Sequence, residues 1–160
     1  MARALVADDT ADLIRSGDAP PGLVADRPLV IEDAPGLTRL PDGLTARRLT
    51  LKNCPDLAEL PADLRVRHLE ILDCPALETL PAGLTCYELH APDSALVALP
   101  TGLRVEYRLD LRDSKHLTTL SRDLTVGSLV LRGCTALGRL PEGLDVTFLD
   151  LEGCTKLTRW

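Results

Sequence analysis

Leucine returns at intervals of twenty residues along most of the chain, and each time a polar residue or a valine separates it from a second apolar residue. Leu49-Thr50-Leu51 is a representative triplet. Such alternation is typical of a short strand with one buried face. Because identical units repeat at a fixed interval, successive strands must pair in parallel, about 4.8 Å apart. The pattern predicts one curved parallel sheet of about seven short strands, anchored at Leu29, Leu49, Leu69, Leu89, Leu109, Leu129 and Leu149.

The opposite side of each turn carries the pattern Leu-x-x-Leu-Pro-x-Gly-Leu, as in residues 77–84. Proline fixes φ and glycine tolerates a positive φ, so this side is expected to be extended or 3₁₀-like and not α-helical. Leu96, Leu99 and Leu103 fall one residue early, and the spacing from Leu103 to Leu109 regains that residue. We therefore expect the strand register to slip in this turn and then to recover.

The N-terminal segment predicts a short amphipathic helix over residues 3–16, which Gly17 would end. The terminal turn of a solenoid would otherwise expose its core to water, so this helix is expected to cap the first turn. The chain then divides into a capping helix with its linker, residues 1–19, and a solenoid, residues 20–160, whose last repeat is incomplete. The apolar face of the predicted helix consists of Leu5, Val6, Leu13 and Ile14.

At the C-terminus the pattern stops midway through a turn, with Trp160 where earlier turns carry Leu120 and Leu140. An unpaired strand edge and an uncovered core at residues 149–151 invite self-association. We therefore expect that the chain is cut from a longer protein, or that a second copy covers this turn in a homodimer.

Composition limits the classes of partner. The 160 residues are 45% hydrophobic and 26% charged, which fits one soluble domain with a continuous core. The net charge of −6 argues against nucleic acid and membranes, since both attract dense Lys/Arg patches. The apolar run Ala4–Ala7 is too short for a signal peptide, and no later run could span a bilayer. A cytoplasmic location is therefore expected.

Small residues recur at the bend after each predicted strand. They are expected to fit a tight interior and to donate weak hydrogen bonds to loop carbonyls, with a metal or redox column as the alternative. Because a ladder spreads its thiols along a line, packing is the favoured interpretation, and neither a metal nor a cofactor is expected. Cys86, which occupies a different position, is interpreted as a small buried hydrophobe. The column consists of Cys54, Cys74, Ser94, Ser114, Cys134 and Cys154.

A second column, just before the first, is acidic in the early turns and becomes glycine in the later ones. Stacked carboxylates repel, so hydrogen bonds from loop amides are expected to compensate. A bound cation such as Ca²⁺ stays open as an alternative, because hard oxygen ligands are present. The column consists of Asp33, Asn53, Asp73, Asp93, Asp113, Gly133 and Gly153.

One unit in particular resembles a known repeat: Val66-x-x-Leu69-x-Ile71-x-x-Cys74-x-x-Leu77-x-x-Leu80-Pro81. It resembles the leucine-rich repeat, and its length and Leu-Pro corners are similar to the short repeats of bacterial effector proteins. It differs by carrying Cys or Ser where those repeats have Asn, with one more residue before the following leucine. The resemblance implies an α/β-type repeat solenoid, shaped as a horseshoe, that binds another macromolecule on its concave sheet.

The outward strand residues could carry binding information, because the scaffold does not dictate them. Tyr and Arg, which are enriched at binding hot spots, are concentrated in turns two to five. The three outward columns are Arg47, Arg67, Tyr87, Tyr107, Gly127 and Thr147; Arg48, His68, Glu88, Arg108, Ser128 and Phe148; and Val30, Thr50, Glu70, His90, Asp110, Val130 and Asp150. The predicted partner-binding residues are Arg47, Arg67, His68, Glu70, Tyr87, Glu88, His90, Tyr107, Arg108 and Asp110.

A solvated face also carries mixed charge, so the alternative for this surface is a set of cross-strand ion pairs without a binding role. Arg67 with Glu88, or Glu88 with Arg108, would be such pairs. The two histidines lie near carboxylates, but the nearest outward nucleophile, Ser128, is several strands away, so no catalytic residues are predicted.

The sequence favours a non-enzymatic module that binds a protein on its concave face. The alternative is the substrate-recognition part of a secreted bacterial ubiquitin ligase whose catalytic domain lies outside this chain. In that case the chain would be an effector exported without a cleavable signal peptide.

Overall fold

The computed structural model describes residues 7–158, in which turns of about twenty residues stack through one parallel sheet. One short helix precedes the strands. The elements are α1 (Ala7–Ser16), β1 (Val24–Ala25), β2 (Leu29–Glu32), β3 (Thr45–Lys52), β4 (Arg65–Leu72), β5 (Thr85–His90), β6 (Arg104–Asp110), β7 (Thr125–Val130) and β8 (Phe148–Asp150). The predicted repeat solenoid with a parallel sheet and an N-terminal helix is therefore confirmed.

The sheet follows the twenty-residue period of the leucines. Leu49 pairs with Leu69, and Leu69 with Leu89, so each anchor lies beside the anchor of the next turn. The strands run in the order β1-β3-β4-β5-β6-β7-β8, and β2 also pairs with β3. The first turn thus contributes two short strands where one was expected. Pro28 lies in the gap between them and has no backbone N–H to donate to the ladder.

The core is a continuous stack of leucines that runs through the middle of the solenoid. Leu49, Leu89 and Leu129 are fully buried, as the alternating pattern predicts. Leucines of the opposite side, such as Leu57 and Leu137, meet them from across the turn and are also fully buried. Burying an aliphatic side chain stabilises the fold by about 1.5–3 kcal/mol, so this stack is the main source of stability.

The N-terminal helix closes one end of this stack. Ile14 and Ala11 are buried in the core, and Leu13 is half-buried. Arg15 ties the helix to the first turn, because its Nε donates to the backbone oxygen of Glu32 at 3.3 Å. The predicted helix start, with Leu5 and Val6 on its face, lies outside the described residues, as does Trp160. Within residues 7–158, no helix combines the length and the apolar character that crossing a membrane requires.

The corners opposite the sheet are single turns. In the turn of residues 81–84, the amide of Leu84 donates to the oxygen of Pro81 at 3.3 Å, and Gly83 has a φ of 74°. A positive φ at the third residue is what a type II turn requires, which explains the Pro-x-Gly pattern. Where Asp123 replaces glycine, its carboxylate accepts a hydrogen bond of 2.9 Å from the amide of Gly102, so this corner is tied to its neighbour.

The expected register slip is a bulge in β6. Cys86 pairs with Val105, nineteen residues away, whereas Glu88 pairs with Arg108, twenty residues away. Glu106 and Tyr107 together therefore lie opposite a single residue of β5. The shift reverses between β6 and β7, because Val105 pairs with a residue twenty-one positions on. The predicted slip and recovery are confirmed.

The bulge restricts the residue beside it. A Cβ atom added to Gly127 would lie 2.6 Å from the backbone oxygen of Glu106 and 2.8 Å from that of Tyr107. Backbone oxygens cannot move aside as the end of a side chain can. Glycine at this position therefore allows β7 to approach the bulged strand.

We expect Gly127→Ala to lower the free energy of unfolding by about 1–3 kcal/mol, the usual cost of overpacking a well-packed site. Urea denaturation followed by circular dichroism measures this change. Gly138→Ala is the matched control, because a Cβ there meets nothing within 4 Å. Equal stabilities of the two variants would contradict the described approach of β7 to the bulge.

Candidate functional site

The strands from β3 to β7 bend at a point where consecutive side chains face the solvent. Arg47 and Arg48 are consecutive and both exposed, between the buried residues Ala46 and Leu49. A flat strand would turn one of them inward, since its side chains alternate between the two faces. The bend brings two adjacent columns to the solvent, and the same pattern recurs in the following turns.

An aromatic stack crosses three neighbouring strands at this bend. The rings of Tyr87 and Tyr107 are stacked, with centroids 5.3 Å apart and an interplanar angle of 11°. The guanidinium carbon of Arg67 lies 4.8 Å from the centroid of the Tyr87 ring, within the range of a cation–π contact. His68 meets the Tyr87 ring edge-on at 5.6 Å. Tyr107 keeps 52% of its surface exposed.

The second column contains a histidine–carboxylate pair. His68 Nδ1 lies 3.3 Å from Glu88 Oε2, on the next strand of the sheet. Both side chains are partly exposed. Together with Arg48, Glu70 and His90 they line a shallow depression of about 270 Å³ on the sheet face. This depression holds ionisable groups of both signs, which suits contacts with polar groups of a partner.

Asp110 has a different environment from the other predicted site residues, because only 2% of its side chain is exposed. The backbone amide of Arg112 donates to its Oδ1 at 3.2 Å, and the guanidinium of Arg112 also donates to its carboxylate. Arg108 Nη2 lies 3.3 Å from Oδ2, and His90 Nδ1 lies 3.5 Å from the same atom. Asp110 therefore holds the end of β6 together and presents little surface to a partner.

The charges around Asp110 set its ionisation. Burial on its own raises the pKa of this carboxyl group, but the hydrogen bonds and the positive charge of Arg112, with the charge of His90, outweigh burial. The net result is a pKa below the ordinary value. Asp110 is therefore ionised at neutral pH.

Comparisons with protein families, with curated proteins and with solved structures found no match for this chain. Function therefore has to be inferred from the chemistry of the described residues. The most informative of these are the stacked tyrosines and the arginines around them.

The structure brings most of the predicted site residues together, although with partners that the sequence did not specify. Glu88 contacts His68, and Arg108 contacts Asp110. Within residues 7–158, no ion pair of 4 Å or less joins Glu88 to Arg67 or to Arg108, so the expected cross-strand pairs do not form. The predicted binding residues are thus partly engaged with each other in a network that differs from that alternative.

Two residues beside the site were not singled out by the periodicity. Arg65 and Glu106 line an open cleft of about 480 Å³ with Arg47, Arg67 and Tyr87. Arg65 lies before the predicted strand triplet, where β4 has already begun. Glu106 lies in the bulge, so it belongs to no column of the regular repeat. The early leucines of this turn were the signal that could have located Glu106.

The column of small residues packs as expected. Cys134 Sγ lies 3.1 Å from the backbone oxygen of Leu111, and Cys154 Sγ lies 3.0 Å from that of Leu131, one turn earlier in each case. The hydroxyl groups of Ser94 and Ser114 are 2.9 Å apart. Burial raises the pKa of Cys134 to about 11. These thiols are therefore poor nucleophiles and poor metal ligands.

Other cysteines have the same chemistry. Burial raises the pKa of Cys74 to about 11 and that of Cys86 to about 12. The pKa values of Cys54 and Cys154 are also raised, chiefly by burial. All of them are free thiols. Packing therefore explains the cysteines without a redox role.

The acidic column is explained by backbone conformation. Asp33, Asn53 and Asp113 have φ values of 51°, 50° and 59°, and Gly133 follows with 74°. Asp, Asn and Gly are the residues that tolerate this left-handed conformation most readily. The expected hydrogen bonds from loop backbone amides to these carboxylates do not form within residues 7–158; the bond that does form is between side chains, where Asn53 Nδ2 donates to Asp33 Oδ1 at 2.6 Å. Within the described residues, no group of three or more His, Cys, Asp or Glu side chains is arranged to hold a metal ion.

We expect Asp110→Asn to lower the free energy of unfolding at neutral pH by about 1–3 kcal/mol, because it removes the charge that Arg112 contacts. Since the pKa of Asp110 is lowered by folding, its ionised form stabilises the protein above about pH 4, and this contribution is lost as the pH falls through the folded-state pKa. The variant should therefore lose less stability than the native protein on acidification.

Urea denaturation at neutral pH and at about pH 3 measures this difference. Asp26→Asn is the control, because Asp26 is exposed. If Asp110→Asn and Asp26→Asn had the same pH dependence, the assigned role of Asp110 would be wrong.

Proposed function

We propose that the chain is a leucine-rich repeat protein of the short Leu-Pro type, and that it binds another protein on the exposed face of its sheet without catalysing a reaction. The twenty-residue turns, the parallel sheet and the Leu-Pro corners support this proposal. The Cys or Ser at the usual Asn position is a variation within that repeat, because a small hydrogen-bond donor occupies the position in each case. A cytoplasmic location accompanies the proposal.

The stack of Arg67, Tyr87 and Tyr107 is the observation that carries the proposal. These side chains are not part of the buried leucine core. Large aromatic groups and arginine at the centre of an exposed surface are typical of binding hot spots. The stack also holds the three side chains in one arrangement, so little conformational entropy would be lost on binding.

The nucleophiles of the chain support a non-enzymatic role. His68 and His90 each have a carboxylate partner, as a general base often does. However, the hydroxyl group of Ser128 is 3.4 Å from that of Thr147, three strands away from His68. The buried thiols have raised pKa values, as described above.

A second candidate function is the substrate-recognition part of a secreted bacterial effector ubiquitin ligase, with catalysis in a separate domain. The Leu-Pro corners, exemplified by Leu80-Pro81, favour it. A reading frame that continues into a cysteine-containing helical domain would support this candidate. Under it, the sheet would bind the protein to be modified.

We expect the triple variant Arg67→Ser/Tyr87→Ser/Tyr107→Ser to bind the protein partner at least about thirtyfold more weakly than the native chain, as the loss of a hot spot implies. Quantitative affinity capture from the source organism would find the partner, and titration of the purified pair would measure the affinity.

The matched control replaces exposed residues on the opposite side of the turns, in the variant Arg39→Ser/Val97→Ser/Arg139→Ser. Both variants are first checked for an unchanged melting temperature. If the stack variant bound the purified partner as tightly as the native chain, the proposed binding surface would be wrong.

Self-association through the C-terminal turn is a separate proposal. Phe148 is 54% exposed, and the neighbouring Leu149 and Leu151 are only half-buried. Such side chains could be covered by a second copy. We expect the average mass from light scattering to rise with protein concentration, and Phe148→Ser to reduce that rise. A constant monomer mass at high concentration would contradict the proposal.

A further inference from the structure

The cleft at the start of β3, β4 and β5 is lined by three arginines. We propose that it binds an acidic, extended segment of the partner protein. This inference rests on the proposed function, because it names the chemistry of the protein that the sheet would bind. The cleft lies directly beside the tyrosine stack, which shares Arg67 and Tyr87 with it.

Three arginines without carboxylate partners give the cleft its charge. Within residues 7–158, no carboxylate oxygen lies within 4 Å of Arg47, Arg65 or Arg67. Arginines that follow β6 and β7 differ, since Arg112 contacts Asp110 and Arg132 Nε lies 3.2 Å from Asp150 Oδ2. The cleft is therefore distinguished by three arginines close together, none of which is neutralised by a carboxylate within the described residues.

Charge complementarity then indicates the ligand. In a chain with a net charge of −6, an unneutralised group of three arginines is a local positive region on a negative protein. Guanidinium groups bind carboxylates through paired hydrogen bonds, which fixes geometry as well as charge. Asp and Glu side chains are the protein groups that supply such carboxylates.

The shape of the cleft fits an extended backbone. Its floor consists of the small side chains of Ala46, Val66 and Cys86, and Tyr87 forms part of its wall. These floor residues are buried, so they offer a ligand little more than a small apolar surface. An extended segment could lie across the strands on this floor, with its acidic side chains directed to Arg47, Arg65 and Arg67.

The geometry of the stack favours a protein segment over single-stranded nucleic acid. Nucleic acid bases bind by stacking on free aromatic faces. The Tyr87 ring has Arg67 and Tyr107 against it, so the exposed side of Tyr107 is the aromatic surface that this stack leaves for a base. The carboxylate of Glu106 also lines the cleft and would repel a phosphate backbone. A segment with separated acidic residues can avoid Glu106, whereas a continuous phosphate chain cannot.

The experiment uses the full chain and fluorescence anisotropy with three labelled probes. They are a short peptide alternating Glu and Ala, the same peptide with Gln for Glu, and an oligo(dT) of equal length. We expect the native chain to bind the Glu peptide at least about tenfold more tightly than either of the others. Raising the ionic strength from about 0.01 M to about 0.15 M should weaken this binding, because the Debye length falls from about 30 Å to about 8 Å.

Three variants locate the binding. Arg47→Gln/Arg65→Gln/Arg67→Gln should weaken binding of the Glu peptide by about tenfold or more. Arg39→Gln/Arg122→Gln/Arg139→Gln changes the net charge equally but lies outside the cleft, and it should bind like the native chain. Glu106→Gln should tighten binding about twofold to fivefold, because it removes the one carboxylate found in the cleft lining.

Four results would overturn the inference. They are an absence of Glu peptide binding, equal binding of the Gln peptide, tighter binding of oligo(dT), and equal losses in the two arginine variants. If any of these occurred while capture of the protein partner still depended on the tyrosine stack, the proposed function would stand and only the acidic ligand would be wrong. If peptide binding met every expectation but the purified partner ignored the stack variant, the surface in the proposed function would be wrong instead.

Discussion

Each turn of twenty residues must close around leucines that pack against the leucines of the next turn, and the rest of the structure depends on this packing. Leu49, Leu89 and Leu129 are fully buried because they pack in one core with leucines from the opposite side of the turns, such as Leu57 and Leu137. The same constraint explains the recurring Asp, Asn and Cys residues, which in the sequence resemble a metal or redox site. Asp33 and Asn53 adopt a left-handed backbone at the tight bend, and the adjacent Cys54 fills the space inside it. Their recurrence reflects backbone geometry and packing.

Side chains at the solvent-exposed bends of the strands are not constrained by the packing of the leucine core. A strictly regular repeat would have the same pairing register between all neighbouring strands. The pairing of β5 with β6 departs from this, because its register shifts within the strands. The bulge in β6 adds Glu106 before Tyr107, whose ring stacks on Tyr87, and Gly127 accommodates the bulged backbone. Bulges are common next to functional sites.

The sequence predicted most of the fold, because a fixed period specifies which residues are neighbours on adjacent strands. It also located the slip that became the bulge, from the early positions of Leu96, Leu99 and Leu103. It did not specify side-chain partners. A twenty-residue interval places Glu88 near both His68 and Arg108, and only the rotamers decide that His68 is the partner. The burial of Asp110 likewise depends on Arg112 folding back across the end of its strand, which no periodicity encodes.

There is a physical reason why the sequence pattern did not identify two of the residues that line the cleft. Arg65 and Glu106 are outside the predicted triplets because β4 begins before its triplet and β6 contains an extra residue. The bend that exposes two consecutive columns also separates the sheet into two chemically different regions. Beyond the bend, some charges are paired, as in Asp110 with Arg112; before it, Arg47, Arg65 and Arg67 line a cleft with small apolar side chains. Paired charges stabilise the fold and leave little for a ligand, whereas unpaired ones are solvated at no cost to the core and remain free to bind. The stack lies on the boundary, where Arg67 belongs both to the aromatic contact and to the cleft.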